Sequence, residues 1–484
     1  DGFEQRAVVL PPKRGTFGSL AVTHDGKLIY VRGAARGSED DPAIKIMDLS
    51  DDKREEKTVL AGMGSFVISA DGKKIAVKKD DKMAIVDAAA DQKMEKTISL
   101  DSMKVVIDPK TEWRQLFVEV WRLQRDYFYV KNMHGVDWPG IRNRYSEMLE
   151  DCGSREDVSF VIAEMISELN IGHTYYNGGD VETPPQSGFG MPAADFELKE
   201  GAYRIVRIRQ GAAWDADARG PLSQPGVDVK VGDYLLAVNR VPVDTTKEVW
   251  AAFTGMGGKT VTLTVSANAK LDNDARDVLV ELISDESSIR YRDWVEHNRK
   301  YVEDKTGGKV GYVYVPNTGV EGQNELVRQF YGQLDKKALI VDERWNGGGQ
   351  IPTRFIELLN RPATNYWARR DGNDWPWPPD SHQGPKCMLI NGLAGSGGDA
   401  FPAYFRRAKL GKLIGMRTWG GLVGISGNPA LIDGGATTVP TFGYYDMDGT
   451  WGIEGHGVDP DVQVVDDPAK MAGGGDPQKA MRAL

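Results

Sequence analysis

The stretch Met388–Ala408, "MLINGLAGSGGDAFPAYFRRA", places one serine where chemistry is possible. An apolar run ends near Asn391, small residues follow through Asp399, and a helical pattern then begins. Ser396 therefore falls at a strand-to-helix turn. Such a turn exposes a hydroxyl, surrounds it with free backbone N–H groups and adds the positive end of a helix dipole suited to an oxyanion. A Gly-Ser loop with a helix-capping serine fits the same residues equally well. A second segment, "DERWNGGGQI" (Asp342–Ile351), sets three glycines after another apolar run. Glycine N–H groups without Cβ atoms can line an anion cradle. Phosphate is the competing occupant, but neither GxxxxGK[ST] nor GxGxxG fits here, so an oxyanion donor is the better reading beside Ser396.

A serine nucleophile needs a base. Six histidines are available: His24, His134, His173, His297, His382 and His456. None sits in HExxH or another metal spacing, so no metal centre is expected. His173 stands just beyond a helical segment, "SREDVSFVIAEMISELN", in which Ser154 and Asp157 have capping-box spacing. Spacing alone leaves a lone histidine at a helix end more often structural than catalytic.

The elements around these residues differ along the chain. In the first hundred residues "VTHDGKLIYV" returns as "ISADGKKIAV", with Asp25 and Asp71 opening equivalent Asp-Gly turns. A period in the forties with several strands per unit reads as propeller blades. Two blades cannot close a propeller of four to eight, and the chain starts at Asp1, so a longer N-terminal portion is expected. From Thr111 apolar residues recur at helical spacing (Trp113, Leu116, Phe117, Val120). Between about residues 183 and 276 strands return. "VKVGDYLLAVNRVPV" (Val229–Val243) resembles a PDZ domain, a module that binds chain ends by strand addition, and "SGFGM" (Ser187–Met191) falls where such a domain has its carboxylate-binding loop. After Ile289, strand–turn–helix units predict an α/β domain with a buried sheet.

The chain has 484 residues, 40% hydrophobic and 27% charged, with a net charge of −10. That length suggests about three to four domains. The acidic balance argues against a nucleic-acid partner, which needs clustered Lys and Arg. No apolar run approaches the roughly 20 residues of a membrane helix, and no signal-peptide pattern opens the chain. Two cysteines without CxxC exclude a disulfide framework and a cysteine-rich zinc site.

The order of repeats, helical segment with histidine, PDZ-like module and α/β domain resembles the tricorn protease family, a relative of the C-terminal processing peptidases. So do "RWNGGG", "AGSGGDAFP", "RTWGGLVG" and "EGHGVDPD". The resemblance implies a multidomain α/β protein: partial β-propeller blades (residues 1–105), a helical segment carrying the base (106–182), a PDZ-like β domain (183–276), an α/β serine peptidase core (277–470) and a tail (471–484). It implies Ser396 as nucleophile, His173 as base and Glu454 as the acid that helps hold the base, with His456 ranked below His173. It implies an oxyanion hole from Gly397 with Gly347 or Gly348. The Lys of the Ser/Lys relatives is missing where Gly420 and Gly421 stand, which points to a histidine base.

Two positions depart from the pattern. The family serine beside the base is Gly172 here, and the family acid after the nucleophile is Gly397. The second change puts a preference for Lys or Arg in doubt, unless Asp399 stands in at the specificity pocket; an Asp there more often caps the helix. The expected activity is hydrolysis of short peptides in protein degradation, with no cofactor and no membrane partner. A homo-oligomer is implied as well, because the family forms hexamers. Cytoplasmic residence is the family expectation, with periplasm and secretion left open. The alternatives are a peptide-binding pseudoenzyme and a Ser/His acyl hydrolase of non-peptide substrates.

Overall fold

The computed structural model describes residues 10–34, 41–80, 82–100, 102–211, 218–472 and 475–476. The chain divides into two compact units, Asp1–Asp108 and Pro109–Leu484.

In the first unit each sequence repeat folds as a four-stranded antiparallel sheet with strands in chain order. Alternating Ile29, Val31, Ile44 and Ile46 from one sheet pack with Ile75, Val77, Ala84 and Val86 from the other. The paired Asp-Gly turns have Gly26 and Gly72 at positive φ, the conformation that a Cβ disfavours.

The second unit opens with helices Pro109–Tyr127, Trp138–Met148 and Arg155–Ser167. Trp121 and Trp138 each donate an indole N–H to the other's carbonyl at 3.0 Å, so two bulky rings are buried without orphaned donors. The capping box at Ser154 forms: its hydroxyl accepts the Asp157 N–H, and the Asp157 carboxylate accepts the Ser154 N–H.

Six strands between Ala194 and Glu281 then form one antiparallel sheet. Its hairpin turn at Asn239–Arg240 holds both residues at positive φ. The last strand, Arg276–Glu281, lies beyond the boundary expected near residue 276. Its Val278 and Val280 alternate inward against Val261 and Leu263, which makes it part of this sheet. In the glycine-rich stretch before this sheet, the N–H groups of Gly190 and Met191 are taken by Phe253 and Ile283 carbonyls, so these two amides are not available to a bound carboxylate.

The last domain carries five parallel strands in the order Val310–Tyr314, Ala338–Asp342, Lys386–Ile390, Gly411–Gly415 and Val462–Gln463. "ALIVD" and "KCMLI" are buried along their whole length, as a parallel sheet covered on both faces requires. Alternate side chains go to opposite faces. Val341, Met388 and Leu413 meet Phe330, Phe355 and Phe401 on one side; Ile340, Leu389 and Ile414 meet Val295 and Val302 of helix Ser287–Thr306 on the other. The expected tail is in part tied down: Asp476 pairs with the buried Arg344 at 2.8 Å. Residues 473–474 and 477–484 lie outside the described residues.

Candidate active site

In an open parallel sheet, ligands bind beyond the carboxyl ends of the strands. Four loops meet there, following Tyr314, Asp342, Ile390 and Gly415. The glycine triplet, the Ser396 turn and the segment Thr418–Gly421 belong to three of them. Asn391, at the end of its strand, accepts the N–H groups of Trp345 and Leu393 and so ties the triplet loop to the serine loop. Gly395 N–H adds a second tie, to the Asn346 carbonyl at 3.1 Å.

Ser396 is the N-cap of helix Gly397–Arg407, with φ 58° and ψ −117°. A non-glycine residue persists in this region only where its surroundings over-determine it, and such residues cluster at functional sites. The restraint here is Asp399. Its Oδ2 accepts the N–H of Ser396 at 2.8 Å and of Gly421 at 3.1 Å; its Oδ1 accepts from Thr418 Oγ1 and from Gly420 N–H. Asp399 is 0% exposed. Burial raises its pKa against the pull of these four donors. The stand-in role in the specificity pocket is therefore corrected: this carboxylate is committed to the fold and faces no substrate.

The N–H of Gly397 has no acceptor among the described residues, as an oxyanion donor requires. The partners expected for it, Gly347 and Gly348, are both engaged. Gly347 N–H goes to the Pro316 carbonyl and Gly348 N–H to Asn346 Oδ1, each at 2.9 Å. Among the described residues the triplet amide without an acceptor is that of Gly349, an exposed residue at φ 143°. Sequence could not distinguish the three glycines, because the acceptors come from other parts of the loops.

His173 leaves the helical segment at φ 63°. Thr438 fastens it, donating its hydroxyl to the His173 carbonyl at 2.5 Å while accepting the Tyr175 N–H at 2.8 Å. Two rings approach the imidazole, Trp419 at 5.8 Å and Tyr175 at 5.9 Å between centroids. The Trp419 indole also lies against Gly395, where a Cβ would come within 2.5 Å of it, so one ring bridges His173 and the Ser396 turn. Burial pushes the His173 pKa down, opposed by the negative charge of Glu454. Nδ1 of His173 is buried and has no hydrogen-bond partner among the described residues.

Glu454 does not bond the imidazole. Its Oε1 accepts Gly172 N–H at 3.1 Å, and its Oε2 accepts the N–H groups of Leu422 and Val423 at 2.6 and 2.8 Å. The missing serine at 172 has a steric counterpart: a Cβ there would lie 2.9 Å from Gly421 Cα and 3.3 Å from Glu454 Oε1. His456, the alternative base, pairs with Asp459 at 2.7 Å and both are exposed.

Three family models match in the order of the domains: Tricorn protease C1 domain over residues 109–167, Tricorn protease PDZ domain over 190–285 and Peptidase family S41 over 309–464. Tricorn protease homolog 1 of Streptomyces coelicolor is 33% identical over 99% of this chain and 46% of its own length. Tricorn protease of Thermoplasma volcanium is 32% identical over 96% of this chain and 45% of its own. A crystal structure of the tricorn protease superposes with a TM-score of 0.83 at 30% identity, covering 93% of this chain and 44% of that one. The chain belongs to the tricorn protease family. It spans about half the length of the tricorn relatives it matches. The two departures from the family pattern, Gly172 beside His173 and Gly397 after Ser396, stand near a buried acid, Glu343, in the triplet loop. Both oxygens of Glu343 lack partners among the described residues. Sequence reasoning passed over Glu343, since "DER" looks like a solvated charge run.

Proposed function

We propose that this chain is a serine peptidase that hydrolyses short peptides through an acyl-enzyme on Ser396. The carrying observation is the Ser396 turn itself. A strained serine caps a helix N-terminus beside two amides without acceptors among the described residues, with His173 held one indole away.

Ser396 Oγ attacks the peptide carbonyl carbon while His173 takes its proton. The carbonyl oxygen becomes an oxyanion facing Gly397 N–H and Gly349 N–H; one such donor is worth roughly 10²–10³ in rate. The C–N bond breaks as His173 returns the proton to the leaving amine. Water then attacks the ester carbonyl, His173 takes its proton, and the C–O bond breaks with Ser396 reprotonated. Glu454 acts as a positioning residue: it fixes the backbone at Gly172 and favours the imidazolium through its charge.

Peptides as substrates, a propeller gate around the N-terminal sheets, homo-oligomeric assembly and a cytoplasmic location rest on the family likeness alone. The PDZ-like sheet favours peptides over other acyl substrates. The orphaned Nδ1 of His173 favours the rival reading, a peptide-binding protein without turnover.

The test is incubation of the chain and of Ser396→Ala with a mixed library of short peptides, with products read by mass spectrometry. Cleavage by the parent alone supports the peptidase. Retention of peptides with no cleavage by either refutes it in favour of the binding protein.

A further inference from the structure

We propose that Trp419 and Tyr175 form a subsite for the side chain on the leaving side of the cleaved bond, which selects a large apolar or aromatic residue there. This rests on the Ser396/His173 reading. The rings approach the imidazole at 5.8 and 5.9 Å. His173 must hand its proton to the leaving amine, so the residue carrying that amine passes over the histidine. Rings beside the base therefore meet the first residue after the scissile bond.

Both aromatics are half out in solvent, Trp419 at 48% and Tyr175 at 46% exposed. An aromatic ring in that state gains by covering with another apolar group. Both are also held firmly. The Trp419 N–H bonds the Ala394 carbonyl at 2.9 Å, and its ring is seated over Gly395 and Gly421, where any Cβ would approach it within 2.5 and 2.3 Å. Tyr175 is laced to Thr438 by its N–H at 2.8 Å and its carbonyl at 2.9 Å. A subsite on fixed backbone is organised before substrate arrives.

A cleft of about 790 Å³ opens on this side, with Ile166, Ile171, Tyr175 and Trp419 among its walls. Neither Ser396 nor His173 is among its described walls; Gly172 and Thr174, the chain neighbours of His173, are, so the cleft adjoins the histidine segment rather than the serine turn. Among the described residues no Lys, Arg or His lines it, so no positive charge there attracts an acidic side chain. Its one carboxylate among the described walls, Glu454, already accepts three backbone N–H groups, and the Lys peptide below reads whether its charge still draws a basic side chain. Ser167, Asn170, Thr174 and Asn177 make the rest of the cleft polar, so the apolar contact comes from the two rings with Ile166 and Ile171.

The experiment takes peptides identical up to the cleaved bond and carrying Phe, Leu, Ala, Lys or Asp after it. kcat/KM is measured for the parent, Trp419→Ala, Trp419→Leu and Tyr175→Ala. The parent is expected to favour Phe over Ala by about 10–100-fold, the range an apolar pocket supplies. That ratio, independent of the absolute rate, is expected to fall to about threefold or less in Trp419→Ala and to narrow in Tyr175→Ala, which decides the case if the tryptophan variants fail to fold. Equal cleavage of all five peptides by the parent, or a ratio that no variant changes, overturns the inference while leaving the peptidase reading intact. A parent that neither cleaves the peptides nor takes a fluorophosphonate probe overturns the peptidase reading itself, and the subsite with it.

Discussion

Asp399 accepts the backbone N–H of Ser396 with one carboxylate oxygen and that of Gly420 with the other, each at 2.8 Å. One buried side chain thus clamps the nucleophile turn to the loop that abuts Gly172 and so faces the base. Asn at this position would turn an NH₂ group toward N–H donors. An unsatisfied buried donor costs about 1–3 kcal/mol. Asp399→Asn is expected to lower the unfolding midpoint in denaturant, and to reduce kcat at least tenfold with a smaller change in KM. Wild-type kcat in a folded Asp399→Asn protein would contradict the clamp.

Burial lowers the His173 pKa, so the neutral base persists below the ordinary histidine value of about 6.5. The acid limb of kcat/KM is expected below that pH. Glu454 opposes the shift, and removing its charge in Glu454→Gln is expected to move the limb lower still. A limb that stays in place in that variant would put the carboxylate outside the field of His173, and one that moves upward would contradict the sign. The readout is the pH profile of kcat/KM, which reports the free enzyme.

Glu343 is 0% exposed, and burial, then the charges of Asp399 and Asp342, raise its pKa well above the carboxylate range. The folded protein therefore keeps a proton that the unfolded chain releases above about pH 4.3. Stability falls with rising pH across that window, since the native state binds more protons there. Glu343→Gln mimics the neutral acid and is expected to be more stable than the parent at pH 8, with a flatter stability–pH curve. Denaturant melts at pH 5 and pH 8 check this; a variant less stable than the parent at pH 8 contradicts it.

Restoring the family acid after the nucleophile is expected to destroy activity without creating a preference for Lys or Arg. A Cβ on Gly397 would lie 2.0 Å from Thr318 Oγ1 and 2.4 Å from the Gly349 carbonyl, so the turn and the triplet would have to part. Gly397→Asp is expected to lose about 10²–10³ in kcat/KM, the worth of an oxyanion donor. A gain of cleavage after Lys or Arg, scored on a peptide library, would show that this space opens.

The sequence made the Ser396 turn legible, because a buried strand, a run of small residues and an amphipathic helix leave one place for the hydroxyl. Asp399 was legible as a cap on the helix, but its clamp was not: Thr418, Gly420 and Gly421 stand about twenty residues away in the chain and meet it only through the parallel strand order. The glycine triplet announced a cradle without saying which amide is free, since Pro316 and Asn346 take two of them. Glu454 was placed beside the base by family likeness, while its actual grip on three backbone amides follows from the fold. Glu343 was hidden because the charge of its neighbours masks a position with no access to solvent. The strand Arg276–Glu281 was cut off because the unit was closed at "VTLTVSANA", while its pairing with Thr260–Ser266 carries the sheet on to Glu281.

The most direct test is intact mass and peptide mapping of the chain after exposure to a fluorophosphonate. A single adduct on Ser396 is predicted, strongly slowed in His173→Gln and absent in Ser396→Ala. An adduct on another residue, or none on a folded parent, would contradict Ser396 as the nucleophile.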